Sequence, residues 1–110
     1  MAAKFEIQTA SDGHFYFHLK AANGEVIFNS QMYKAKASAR GGIDSVKANA
    51  PADGQYERKD SAGGQPYFVL KAANGEPLGR SQMYSSAAAM EKGIESVKAN
   101  APAAAVADLT

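Results

Sequence analysis

The chain has 110 residues and a formal charge of +1, from 12 Lys and Arg against 11 Asp and Glu, so no strong net field steers nucleic acid or anionic lipid toward it. Its 45% apolar and 21% charged fractions are those of a folded domain, and the length suits one domain rather than two. The lack of cysteine excludes disulfides, zinc–thiolate sites and a thiol nucleophile, and no apolar run reaches the roughly 20 residues a membrane-spanning helix needs.

The opening Met1-Ala2-Ala3-Lys4-Phe5 has no basic region followed by an apolar stretch, so a cytoplasmic location is expected. From Lys4 to Ala10 the pattern alternates, with Phe5 and Ile7 on one side and Glu6 and Gln8 on the other, as in a half-buried strand. Ser11-Asp12-Gly13 breaks it. A second strand over His14 to Ala22 puts Phe15, Phe17, Leu19 and Ala21 on one face and His14, Tyr16, His18 and Lys20 on the other. Asn23-Gly24 fits a type I′ turn, which folds Val26 to Ser30 back as a third strand. After Tyr33 the period becomes 3.6, with Ala35, Ala39, Gly42, Ile43, Val46 and Ala50 on one helical stripe that stops at Pro51.

The same series then returns. Shifting the chain by 51 residues aligns Phe5 to Pro51 with Tyr56 to Pro102, and 25 of the 47 pairs are identical, which establishes an internal repeat. The second hairpin turns at Asn74-Gly75, and the second helical stripe is Ser86, Met90, Gly93, Ile94, Val97 and Ala101, ahead of Pro102. Ser85 is the expected N-cap of that helix, whereas Lys34 at the matching position cannot cap. Glycine inside a helix costs about 1 kcal/mol relative to alanine, so Gly42 and Gly93 at equivalent positions imply close approach of each helix to its neighbours.

A βββα unit of about fifty residues is marginal alone, so the repeats are expected to share one core. The expected fold is α+β: an antiparallel sheet with two helices and approximate two-fold internal symmetry. Repeat 1 spans about 4–52 and repeat 2 about 55–103. The tail 104–110, carrying Val106 and Leu109, is expected to add an edge strand.

The hairpin Lys20-Ala21-Ala22-Asn23-Gly24-Glu25, the segment Ser30-Gln31-Met32-Tyr33 and the helix end Ser45-Val46-Lys47-Ala48-Asn49-Ala50-Pro51, each with its second copy, resemble the YegP-like family of small bacterial proteins over nearly the whole chain. The resemblance implies a β(3)-α-β unit whose C-terminal strands are exchanged between units in one sheet, with Gln55 to Asp60 and the Val106 tail in the exchanged positions. Pro66, Pro77 and Gly79 depart from the first copy and are expected to weaken the second hairpin. The resemblance carries a fold and no functional residues.

No chemistry-bearing motif emerges. His14 and His18 lie about 13 Å apart along a strand, too far to share a metal, and read as surface residues without an orienting partner. The carboxylates are scattered, there is no phosphate-binding glycine loop or G-x-S-x-G, and neither catalytic residue, metal nor cofactor is expected. The leading candidate binding face is Tyr16, Lys20, Tyr67 and Lys71, an aromatic and a cation on the solvent side of each second strand. Such sheet aromatics stack bases while cations hold phosphates, although Tyr and Lys also simply cover half-exposed strands. A second repeated set, Gln31, Tyr33, Gln82 and Tyr84, marks the strand-to-helix junctions, where a tyrosine hydroxyl bonded to backbone would close the turn. Met32 and Met83 beside it read as core filler. The expected function is a non-enzymatic interaction module for a protein partner or weak self-association; single-stranded nucleic-acid binding is the alternative, and no membrane contact is expected.

Overall fold

A computed structural model describes residues 3–110. The two runs of alternating residues become β1 (Lys4–Thr9), β2 (Phe15–Lys20) and β3 (Val26–Ser30), followed by α1 (Lys36–Asn49), and then β4 (Tyr56–Asp60), β5 (Pro66–Lys71) and β6 (Pro77–Arg80), followed by α2 (Ala87–Asn100). The tail forms β7 (Ala105–Asp108). All seven strands join one mixed sheet in the order β4-β5-β6-β3-β2-β1-β7. Neighbours run antiparallel except β7, which lies parallel to β1 with Phe5 opposite Val106. The sheet is thus continuous across both repeats, and it is mixed rather than purely antiparallel.

Its four hairpin loops share one design. Gly13, Gly24, Gly64 and Gly75 have φ between +81° and +87°, and each donates its N–H to the carbonyl three residues back at 2.9–3.0 Å. Among the described residues no other residue type has positive φ, so Asn23 is not in the conformation that a type I′ turn requires. The loops are type I turns closed by a left-handed glycine, the three-residue hairpin solution. Asn23 Oδ1 and Asn74 Oδ1 each accept the N–H two residues on at 3.0 Å, which holds the asparagine in the turn and explains the difference from the expected type.

The apolar faces of the strands meet both helices on one side of the sheet. Phe5, Ile7, Phe17 and Leu19 are buried in one cluster with Ala39, Ile43 and Val46 of α1, with Tyr56, Phe68 and Leu70, and with Met90, Ile94 and Val97 of α2, and β3, which carries the buried Phe28, meets α2. Each helix also touches strands of the other repeat, so the core is single. The α2 N-cap is Ser86, whose hydroxyl accepts the Ala89 N–H at 3.1 Å; the expected Ser85 sits one residue early. Ala35 occupies the matching place before α1 and offers no side-chain cap. Both helical glycines are closely covered. A Cβ on Gly42 would overlap the Tyr33 hydroxyl and one on Gly93 the Tyr84 hydroxyl, so the missing side chain is what lets each tyrosine ring lie against its helix.

β4 follows α1 and pairs antiparallel with β5 of the second repeat. One further expectation is corrected. The glycine of β6 packs well: β3 and β6 join the halves through Asn29 opposite Arg80 and Ser30 opposite Gly79, and a Cβ at Gly79 would strike the Asn29 carbonyl and the Phe28 ring. Pro66 and Pro77 occupy the first positions of their strands, where the absent N–H is tolerated, and the Pro66 carbonyl accepts from Tyr84 at 2.8 Å.

Candidate cleft between the repeats

Register places one residue from each strand in a row across the sheet face away from the helices: Glu57, Val69, Arg80, Asn29, His18, Glu6 and Ala107. Tyr16, Lys20, Tyr67 and Lys71 alternate with the core positions Phe17, Leu19, Phe68 and Leu70, and so share this face. They do not converge. Three strand spacings, about 14 Å, separate β2 from β5. Tyr16 donates its hydroxyl to Gln8 Oε1 at 3.0 Å. Lys20 Nζ lies 3.1 Å from Glu6 and Lys71 Nζ 3.2 Å from Glu57, so each cation already faces a carboxylate at an equivalent position.

The Glu6 cluster departs furthest from a solvated strand face. Glu6 and His18 are 5% and 8% exposed, and His18 Nε2 stands 2.7 Å from Glu6 Oε1, while Lys4 reaches Oε2 at 3.3 Å. His18 is therefore buried and partnered, contrary to its reading as a surface histidine. The hydrogen bond from His18, followed by those from Lys20 and Lys4, brings the Glu6 carboxyl down to about 2 against the opposing effect of burial. At the less buried counterpart, Lys71 and then Lys59 lower the Glu57 carboxyl. His14 is half-buried in the first loop, with Nδ1 3.1 Å from Asp12.

The repeated junction residues have structural work that sequence did not assign. Ser30 Oγ accepts the Phe17 N–H at 2.8 Å and donates to the Gln31 carbonyl at 2.7 Å, and Ser81 does the same with Phe68 and Gln82 at 3.0 and 2.8 Å. Tyr33 stacks on Phe17 with centroids 6.1 Å apart and planes at 13°, and Tyr84 on Phe68 at 6.4 Å and 13°. Ring packing over the helical glycine, rather than a hydroxyl bond to backbone, accounts for these tyrosines. Burial raises the pKa of both hydroxyls. Gln31 and Gln82 are exposed.

Beside the seam a cleft of about 330 Å³ opens, lined by Asn29, Ser30, Gln31, Met32, Val69, Pro77, Gly79 and Arg80. Its volume is at the lower end of ligand-sized pockets. Met32 is 57% exposed and Met83 40%, so neither is core filler; Met32 forms part of the cleft wall. The repeat alignment shows why the cleft lies on this side: Val69 stands where the first copy has His18, and Pro77 where it has Val26. Arg80 is exposed at the rim and forms no ion pair among the described residues, and no acidic side chain lines the cleft. Of the residues singled out from sequence as binding candidates, only Gln31 lines it. The available signal was the set of positions at which the two copies differ.

Among the described residues no group of three or more His, Asp and Glu side chains is placed to hold a metal, and no helix is long and apolar enough to cross a membrane. The chain is similar along its full length to a UPF0339 protein of Pseudomonas aeruginosa, with 52% identity over 108 residues covering 98% of each. It is 49% identical to the UPF0339 protein YegP of Escherichia coli strain K12 over 110 residues, covering all of both. The solution NMR structure of YegP from Escherichia coli, a protein of unknown function, superposes with a TM-score of 0.94 at 49% identity, covering 100% of this chain and 95% of that one. The family model described as a domain of unknown function, DUF1508, matches twice, at residues 10–57 and 61–108, and the chain belongs to that family as a tandem pair of its repeats.

Proposed function

We propose that this protein is a non-enzymatic interaction module that seats an apolar side chain of a partner protein in the cleft between its repeats. The observation that carries the reading is the 330 Å³ cleft walled by Val69, Pro77 and an exposed Met32. Exposed methionine is a flexible, polarizable contact that adapts to a partner's side chain, and it offers little to a chain that has none. A purely structural role is also supported for the acid–base pair: Glu6 already has three cationic or hydrogen-bonding partners and has little capacity left for a substrate.

The same reading takes the two repeats, 4–52 and 55–103, as related by an approximate two-fold axis through the Asn29–Arg80 pair. Its support is that these residues are equivalent by the 51-residue shift and face each other in register. It also takes the tail 104–110 as an exchanged strand, since β7 follows α2 yet pairs with β1.

Single-stranded nucleic-acid binding is the second reading, supported by Tyr16, Lys20, Tyr67 and Lys71 sharing one face. The carboxylates at Glu6 and Glu57 compete with phosphate for both lysines and favour the first reading. A photocrosslinking amino acid placed at position 32 and, separately, at 83 in living cells separates the two. A discrete protein adduct from 32 but not from 83 is expected. Equal adducts from both, or none, together with salt-sensitive binding of single-stranded RNA that Tyr16→Ala abolishes, would transfer the function to the sheet face.

A further inference from the structure

The cleft has a chemical polarity that narrows what it accepts. Val69, Pro77 and Met32 supply an apolar wall, whereas the rim carries the guanidinium of Arg80, which no carboxylate within the described residues neutralises. This sets Arg80 apart from the cations on the same sheet face. Lys4, Lys20, Lys59 and Lys71 all lie within 3.4 Å of Glu6 or Glu57. A guanidinium presents a planar fork of donors that matches a carboxylate in bidentate fashion, a geometry that the ammonium of lysine cannot reproduce. Asn29, opposite Arg80 in register, adds a side-chain amide that can both donate and accept beside the same point.

Resting on the interaction-module reading, we propose that the cleft recognises the carboxyl-terminal residue of a partner protein, its apolar side chain against Val69, Pro77 and Met32 and its α-carboxylate on Arg80. A carboxyl-terminal apolar residue is the smallest protein element that joins both groups at one carbon. An internal apolar side chain would use the wall and leave Arg80 unengaged, and an acidic side chain would use Arg80 and leave the wall bare. Capture of a terminal carboxylate is an established way for small domains to gain specificity from few contacts.

The test uses the full chain, labelled with 15N and with 13C methyl groups, and two minimal probes: N-acetyl-leucine and its carboxamide. N-acetyl-leucine is expected to shift the Val69 and Met32 methyl resonances and the Arg80 Nε–H, with a dissociation constant on the order of millimolar for so few atoms. The carboxamide, and N-acetyl-leucine with Arg80→Gln, are expected to bind at least about tenfold more weakly. Arg80 is exposed, so this variant should keep the wild-type melting point, which serves as its folding control. Equal binding of acid and amide, or an unaffected Arg80→Gln, would overturn the carboxylate assignment. Absence of shifts with either probe, alongside a crosslink at position 32, would overturn it while leaving the interaction reading intact. Shifts at Arg80 with single-stranded oligouridylate and none with N-acetyl-leucine would overturn both.

Discussion

Adjacent glycines in α1 provide a sharp test of how the helices meet the sheet. Gly41 faces solvent, and a Cβ built there meets nothing within 4 Å. Gly41→Ala should therefore show only the helix-propensity gain of about 0.5–1 kcal/mol. Gly42→Ala carries the same gain, but its Cβ would overlap the Tyr33 hydroxyl and lie 2.9 Å from Tyr33 Cζ and 3.0 Å from Phe17 Cε2. Phe17 is fully buried and the half-buried Tyr33 stacks on it, so the tyrosine yields only by giving up that stacking. Overpacking of this kind costs about 1–3 kcal/mol, which outweighs the gain, and the net effect should be destabilisation by about 1–2 kcal/mol. The two neighbours then differ by about 2 kcal/mol or more, a separation of about 10 °C in melting temperature for a domain of this size. Thermal and urea unfolding followed by circular dichroism measures both. Gly93→Ala, pressed against Tyr84 and Phe68, should behave as Gly42→Ala does. A Gly42→Ala variant as stable as Gly41→Ala would refute the close approach of α1 to the sheet.

Glu6→Gln should cost about 2 kcal/mol at pH 7, because the carboxyl is at about 2 in the folded state against 4.5 unfolded. The depressed folded value means that this stability is fully present above pH 4.5 and disappears as pH falls toward 2, so urea midpoints of wild type and variant should converge over that window. Glu57→Gln, at the less buried counterpart, should move the midpoint little at any pH, as solvent-accessible ion pairs do. Gly79→Ala should destabilise by about 3 kcal/mol, since its Cβ meets a backbone carbonyl that cannot rotate away; an unchanged urea midpoint would contradict the described seam. Ser86→Ala should lower stability by about 1 kcal/mol and Ser85→Ala should leave it within about 0.5 kcal/mol, a reversal of which would move the α2 cap back by one residue.

The change of period after Tyr33 and the buried stripes of both helices could be read directly, because each depends on residues close in sequence, and the repeat because its two copies remain alike; only Ala35 and Ser86, the exposed N-cap residues, fall outside the buried stripes. The turn at Asn23-Gly24 could not. Asn-Gly suits both a type I′ turn and a type I turn closed by glycine, and only the Asn23 Oδ1 contact to Glu25 decides between them. Glu6 looked solvated because alternation assigns a face and not its depth; its burial follows from His18, Lys4 and Lys20 meeting over it across two strands. The cleft escaped for a related reason. Val69, Pro77 and Gly79 appear in sequence as imperfections of the second copy, and only the pairing of β6 with β3 brings them beside Met32 and Gln31 of the first. Differences between repeats, read on the folded register, marked the candidate site more clearly than the residues the repeats share.

Filling the cleft tests directly whether it is where a partner binds. Val69→Phe adds a ring at the half-buried floor between the repeats, on the face away from the helices, so the variant should fold with a melting point near that of wild type. With the photocrosslinker at position 32, the adduct seen in the parent protein should disappear when Val69→Phe is introduced. An adduct of undiminished intensity in the folded, cleft-filled variant would contradict the claim that the space between the repeats is where this protein meets its partner.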